Sequence, residues 1–437
     1  MTGSDDRNDL AQIADLVAFL SAAPSPFHAV AEASRRLQAG GFTPLDPAQS
    51  WSDAPDRSFV ARGGSLVAWA GATDRPPETP FRLIGAHTDS PNLRVKPRPD
   101  TGRAGWRQLG VEVYGGALVN SWLDRDLGLS GRVMVRGPAG PESRLLLVDR
   151  PLLRVPQLAI HLDREVNSKG LLLNPQQHLT PVWGVGVPDE GGFHRFLAGE
   201  LDIAADDVLS WDVMVHDVTP PSVLGIDGEL LASARLDNLC SCEAAIAALI
   251  DAADHRERGE GASIPAICLY DHEEVGSSSA TGADGVLLRS VLDRSVLARG
   301  GEGDDFHCAL AGSVCASADM AHATHPNYGE RHEPDHHVAV NGGPVLKVNA
   351  NQRYATDAES AAVFAEACDR AGVPMQHFVS RNDMPCGSTI GPITAARLGV
   401  ATVDVGIAQL SMHSARELCG TADPPMFTAA LTEFLQG

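Results

Sequence analysis

The sequence predicts an α/β fold, a sheet covered by helices, with a β-rich domain inserted into it. Three observations carry this. After Ala234, helical and strand patterns alternate to the end of the chain, which marks a helix-covered sheet. Between Leu93 and Ala234 the texture changes to short alternating segments punctuated by Gly and Pro, as in antiparallel β structure. The chain has 437 residues, more than one ordinary core accommodates. The strands before Leu93 are expected to join the later sheet. The expected domains are therefore residues 1–92 with 234–437, and an insert of 93–233.

The elements follow in order. Leu10 to Leu37 reads as helical, broken near Pro24 to Pro26. Ser65 to Ala70 and Phe81 to Ala86 are apolar strands. In the insert, Gln108 to Tyr114, Gly131 to Val135 and Arg144 to Val148 read as short strands. Ala198 to Val215 carries a helical pattern, and Pro220-Pro221 closes the region. Cys242 to Ala253 is an Ala- and Leu-rich helix, and Ser263 to Tyr270 a strand. Asp284 to Ala298 is a helix, Arg299 to Asp305 a flexible loop, and Gly312 to Met320 holds a strand. Thr356 to Ala371 and Thr389 to Leu398 are helices. Met375 to Ser380 and Val400 to Val405 are strands.

Bulk properties exclude several functions. The net charge is -22, from 56 acidic and 34 basic residues. Nucleic acid and anionic membranes both call for basic patches, so neither is an expected partner. No apolar stretch approaches the roughly 20 residues that span a bilayer. Met1 to Asp9 is polar and acidic, unlike a signal peptide. The eight cysteines form no CxxC pair, which suits reduced thiols and a cytoplasmic location. Cys240-Ser241-Cys242 reads as helix packing.

The chemistry concentrates at strand ends. Asp271-His272-Glu273-Glu274 follows an apolar run, and ionised carboxylates sit near apolar surroundings only when paired, hydrogen-bonded or bound to metal. One of the two Glu side chains can ligate a metal while the other acts as a base on water. A solvated acidic turn is the plainer alternative. Phe81 to Ala86 delivers His87-Thr88-Asp89, where Asp89 can orient His87 or a neighbouring part of the site. Asp237, in Arg235-Leu236-Asp237-Asn238, is a ligand or a helix N-cap. Asp319 follows a small-residue strand, and His413 lies in Ser411-Met412-His413-Ser414. Together these residues supply two His, three carboxylate ligands and one spare carboxylate, the inventory of a two-metal site. Oxygen and nitrogen donors suit zinc, cobalt or manganese. His322 with His325, and the pair His336-His337, have ligand-like spacing. His272 more simply packs or supports its neighbours.

These motifs resemble the M18 family of metallopeptidases, the aspartyl aminopeptidase group. The resemblance covers nearly the whole chain. It runs through Gly85 to Pro91, Arg235 to Asn238, Asp271 to Ser277, Ser317 to His322, Gly343 to Tyr354, Arg381 to Pro392 and Met412 to Ser414. It implies a mixed-sheet sandwich metallopeptidase domain with the insert as a dimerisation domain. It implies two divalent ions per subunit, zinc foremost. His87, Glu274, Asp319 and His413 would be terminal ligands, Asp237 would bridge, and Glu273 would be the general base. The peptide after Asp237 would be cis. A hydroxide between the metals would attack the first peptide carbonyl of a substrate with a free N-terminus. Lys347, in Gly343 to Asn349, would read an acidic first side chain; an edge-strand lysine is the alternative. His161, otherwise a satisfied core residue of an apolar strand, would enter a neighbouring subunit's site and stabilise the oxyanion. The family also implies a homo-oligomer, a dodecamer built from dimers.

Three alternatives stay open at this level. One is an aminopeptidase for neutral residues. Another is a carboxypeptidase or deacylase that holds a substrate carboxylate with Arg381. The third is a metal-stabilised assembly protein without catalysis, which the free carboxylate of Glu273 argues against.

Overall fold

The computed structural model describes residues 5–73, 75–256 and 262–437. The acidic start, Met1 to Asp9, therefore lies partly outside the described residues. The chain divides into two compact units. The first comprises Met1–Asp89, Pro221–Met412 and Glu417–Gly437; the second comprises Ser90–Pro220 and His413–Arg416.

In chain order, the first unit opens with helices α1 (Asp5–Ala22) and α2 (Pro26–Ala39). Strands β1 (Thr43–Pro44), β2 (Ser58–Arg62), β3 (Ser65–Trp69) and β4 (Phe81–His87) follow. The start of α2 is dictated locally. The Ser25 hydroxyl accepts from the His28 amide, and Pro26 at the first helical position gives up only an amide that would lack a partner anyway.

The second unit is built from β5 (Asn92–Arg103), β6 (Trp106–Tyr114), β7 (Leu127–Gly137) and β8 (Gly140–Leu153). The short helices α3 (Val166–Lys169) and α4 (Pro175–His178) follow, then β9 (Val182–Val185), α5 (Gly192–Leu201) and β10 (Val208–Asp217). Its six strands form one antiparallel sheet in the order β8-β7-β10-β5-β6-β9. Leu93, Leu109, Leu129, Val133 and Val213 pack with Phe193 and Leu197 of α5 to form its core. The helical pattern read over Ala198 to Val215 is half right. Helix α5 ends at Leu201, and the rest pairs along β7 as strand β10. Residues 413–416 join this unit because the Leu118 amide donates to the His413 carbonyl and the Ala415 amide to the Ser121 hydroxyl.

The first unit then resumes with β11 (Ser222–Leu224), β12 (Leu230–Ser233), α6 (Leu236–Arg256), β13 (Ile264–Tyr270), α7 (Leu287–Ala298) and α8 (Gly303–Ala311). The strands β14 (Val314–Ala318), β15 (Ala321–His322) and β16 (Val345–Val348) lead to α9 (Ala358–Ala371), β17 (Gln376–Val379) and α10 (Ile390–Leu398). β18 (Ala401–Gly406), β19 (Ala408–Leu410), β20 (Glu417–Gly420) and α11 (Asp423–Gln436) complete it. Helix α8 takes over the last three residues of the loop read over Arg299 to Asp305. Glu302 and Asp305 close a reciprocal capping box that starts a helix there.

Nine strands form the main sheet, in the order β1-β2-β3-β13-β4-β14-β18-β16-β17. The four central strands β13, β4, β14 and β18 run parallel, while β3 and β16 are antiparallel to their inner neighbours. This is a mixed sheet with helices on both faces. Ile84 and Ala86 of β4 pack with residues of α1, α6 and α11, whereas Phe81 and Leu83 pack with residues of α7 and α10. Central strands buried on both faces read as continuous apolar runs, which is why they were visible in the sequence. A smaller sheet, β11-β12-β20-β19-β15, belongs to the same unit.

Candidate metal centre

The parallel register brings the chemistry to one edge of the main sheet. Tyr270 at the end of β13 pairs with His87 at the end of β4, and Ser317 of β14 pairs with Gly85. Glu273 and Glu274 lie on the single turn Glu273–Val275 just past β13, and Asp319 directly follows β14. Asp237 enters from the first turn of α6. In such sheets, ligand sites form at the carboxyl ends of the strands.

The side chains converge. His87 Nε2 lies 3.3 Å from Asp237 Oδ1 and 3.5 Å from Asp319 Oδ1. One candidate ligand atom from each of His87, Asp237 and Asp319 falls within 4.8 Å of the others, and the same holds for His87, Glu273 and Glu274. His87, Asp237 and Asp319 are buried. His87 Nδ1 donates to the Asp89 carbonyl at 3.0 Å, which fixes the tautomer and turns Nε2 toward the carboxylates. Both oxygens of the fully buried Asp89 carboxylate accept backbone amides, those of Glu273 and Glu274, each at 3.1 Å. Asp89 therefore holds the turn that carries both glutamates, as well as the His87 ring.

Two further contacts tie down the Asp237 turn. The Asp237 amide donates to Glu417 Oε2 at 3.0 Å, and Asn238 Nδ2 donates to the Ala318 carbonyl at 2.8 Å. The Asp237–Asn238 peptide is cis. Nothing in the local sequence pattern marked Glu417 or gave Asn238 a task. Their role appears only once β20 and β14 are placed around the start of α6.

The electrostatics call for cations. Burial pushes the Glu273 carboxyl up to about 8; His87 opposes the rise, and Asp319, Asp237 and Asp89 add to it. Burial, followed by the Asp237 charge, raises Glu274 well above the ordinary carboxylate range. Burial disfavours a charged His87, yet Asp237, Asp319 and Asp89 outweigh it and raise the imidazole well above its ordinary value. For Asp319, burial acts upward but Lys347 and His87 pull the carboxyl far below the usual range. Five carboxylates thus face one imidazole and one ammonium, an imbalance that divalent ions remove. The donor set of imidazole nitrogen and carboxylate oxygen suits zinc. Cys242 is near, but its thiol donates to the His87 carbonyl at 3.0 Å and burial pushes its pKa up to about 12. It stays protonated and is no thiolate ligand. The residues present fit a metal centre.

Lys347 is 1% exposed and lies on β16, between β18 and β17, so it is not an edge-strand lysine. Its ammonium donates to the carbonyls of Asp319 (2.9 Å) and Met320 (3.2 Å). It also sits 3.6 Å from Asp319 Oδ2 and 5.2 Å from the centre of the Tyr354 ring.

The other candidates have the following surroundings. His161 is not a core residue of a strand; it sits in an exposed turn between Leu158, Ile160 and Leu162, which are 57%, 47% and 75% exposed. His413 belongs to the second unit, where its Nδ1 donates to the Gly116 carbonyl at 3.0 Å. His272 supports its own loop, with Nδ1 2.8 Å from the Ser279 hydroxyl. The His325 amide donates to His332, and His336 contacts Glu333. Arg381, the alternative carboxylate anchor, forks onto Asp383 at 2.8 and 2.6 Å and donates to the Glu330 carbonyl.

One imidazole and five carboxylates gathered at adjoining parallel strand ends and the start of α6 mark an α/β protein built around a metal centre. Comparison with known proteins narrows the class. The family model described as aminopeptidase I zinc metalloprotease (M18) matches residues 19–435. A probable M18 family aminopeptidase 2 of Streptomyces coelicolor is 56% identical over 434 residues, covering 98% of this chain and 99% of that protein. Among solved structures, the chain is similar to Ape4 in the cryo-EM structure of the Ape4 and Nbr1 complex. The TM-score is 0.95 at 35% identity, with 100% of this chain and 87% of that one covered. The S. cerevisiae mApe1 dodecamer matches with a TM-score of 0.84 at 29% identity, over 97% and 95% of the two chains. The chain belongs to the M18 family and is a metallo-aminopeptidase.

Proposed function

We propose that this aminopeptidase works with two divalent ions, zinc foremost, and removes Asp or Glu from the free N-terminus of peptides. The observation that carries the reading is the convergence of His87, Asp237, Asp319, Glu273 and Glu274 from four structural elements: the ends of β4, β13 and β14, and the start of α6. His87, Asp237 and Asp319 would hold one ion; Asp237 would be shared with the second, which Glu274 also holds. His413 is proposed as a ligand on the resemblance of Met412-His413-Ser414. When bound, the ions supply Lewis acidity toward the scissile carbonyl and toward water.

The chain's own residues do the rest. Glu273, held at its backbone by Asp89, takes a proton from the attacking water and returns it to the leaving amine. Burial and the neighbouring carboxylates raise the proton affinity of Glu273, and a bound cation would favour its charged, proton-accepting form. The acidic cluster favours a substrate's free α-ammonium. Lys347, within 3.6 Å of a ligand carboxylate, is the candidate reader of an acidic first side chain. A second reading, preference for a neutral first residue, is favoured by the same lysine, whose hydrogen bonds to Asp319 and Met320 are made within the chain.

The second unit is proposed as a dimerisation domain within a dodecamer. The exposed apolar residues flanking His161 support burial against another copy, with His161 stabilising the oxyanion in a neighbouring subunit. The eight cysteines are carried as thiols, which suits a cytoplasmic location. No helix of the described residues is long and apolar enough to cross a membrane.

Hydrolysis of Asp-, Glu-, Leu- and Lys-p-nitroanilide, after chelation and with zinc, cobalt or manganese added back, tests the reading. Metal-dependent cleavage led by Asp and Glu is expected. Cleavage led by Leu removes Lys347 as the reader, and cleavage that survives chelation removes the metal mechanism.

A further inference from the structure

We infer that Glu417 and Asn238 act as a pair of positioning residues, fixing the carboxylate of Asp237 against the strand end that bears Asp319; this rests on the metal-centre reading above. The start of α6 departs from helical geometry at these positions, with φ/ψ of -82/103 at Asp237 and -126/30 at Asn238. Amides in a first helical turn have no acceptor within the helix, so the turn keeps its place only if other elements supply partners.

Two elements do. Glu417, 2% exposed, comes from β20 and accepts the Asp237 amide at 3.0 Å. Its strand pairs with β12 in the register Ser233↔Glu417, so the acceptor is set by the segment that leads into α6. One residue further, the fully buried Asn238 donates its side-chain amide to the carbonyl of Ala318 at 2.8 Å. Ala318 ends β14, and the next residue is Asp319. One bond ties the Asp237 turn to the smaller sheet, and the other ties it to the strand that delivers a second ligand. The spacing of the two carboxylates is thereby set by backbone anchors. Without either bond the turn keeps its ligand but not its aim, and partners of metal ligands commonly control affinity in this way.

The test uses the full chain, with zinc affinity measured by competition against a chromogenic chelator. Glu417→Gln keeps a side-chain oxygen for the Asp237 amide and is expected to bind zinc as the wild type does. Glu417→Met keeps the volume, removes the acceptor, and is expected to lose about tenfold or more in affinity. Zinc binding by Glu417→Met at wild-type affinity overturns the inference. So does an equal loss in Glu417→Gln, because the buried charge rather than the hydrogen bond would then matter. If Glu417→Met does not fold, Asn238→Ala takes its place, and unchanged zinc affinity there overturns the inference equally. A wild-type chain that binds no zinc instead overturns the metal-centre reading on which it rests.

Discussion

Glu273 and Glu274 share one short turn and a common anchor in Asp89, and their titration is dominated by what surrounds them. Glu273→Gln keeps the size and removes the proposed base. Its kcat is expected to fall by about 10²- to 10⁴-fold while metal content by emission spectroscopy stays unchanged. Metal uptake should also release protons. Below about pH 8 the metal-free chain holds a proton on Glu273, and an incoming cation favours the charged form. Zinc affinity is therefore expected to rise with pH up to about 8. Titration calorimetry in buffers of different ionisation heat would detect the released protons; equal heats would exclude them. Gly406 is a further sensitive point, since a Cβ there would overlap the Asp319 carbonyl that Lys347 holds. Gly406→Ala is expected to destabilise by about 1–3 kcal/mol in chemical denaturation and to weaken metal binding. At this scale the residues of the cluster were legible, because carboxylates and imidazoles at the ends of apolar strands stand out. Glu417 was not legible, since its meaning comes from a partner 180 residues away.

Among the elements, helix α2 carries a testable electrostatic feature at its first turn. His28 is buried, and its Nδ1 meets the Ser25 hydroxyl at 2.8 Å. Burial, assisted by the charge of Arg235, lowers its pKa from 6.5 to about 4. Between those values the unfolded chain takes up a proton that the folded chain refuses. This contribution to stability is therefore complete above pH 6.5 and is lost as pH falls toward 4, by about 3 kcal/mol. The stability difference between wild type and His28→Gln, followed by urea unfolding, is expected to change by that amount across the window. A pH-independent difference would contradict the burial argument. The central strands and most helices were readable from periodicity. The exceptions have physical causes. Helix α8 begins in a Gly- and Asp-rich stretch whose helical signal lies in a reciprocal cap rather than in apolar spacing. Strand β10 was read as helix because Val213 and Val215 face the core in a stretch continuous with the apolar positions of α5.

For the whole molecule, the exposed apolar side chains of the second unit matter most. Leu162 and Leu172 are 75% and 91% exposed, more than a lone folded chain gains from. Replacing both with Glu is expected to shift light-scattering mass from an assembly to smaller species and to lower kcat. An unchanged mass would place the interface elsewhere. The placement of His161 could not be read from its apolar neighbours, because an exposed apolar turn and a core strand have the same composition. The discontinuous first unit also has a consequence for how the protein is made. Strand β4 leaves the ribosome with His87 long before β13 and β14 exist to flank it, and more than two hundred residues separate His87 from Asp319. At ~5–20 residues per second, translation takes on the order of 10–50 s to cross that gap. His87, Asp237 and Asp319 stand together in a nascent chain only once Asp319 has been added, so loading of the proposed metal centre waits for that residue. In the cell, the supply of metal would have to meet a polypeptide that already carries β4, α6, β13 and β14.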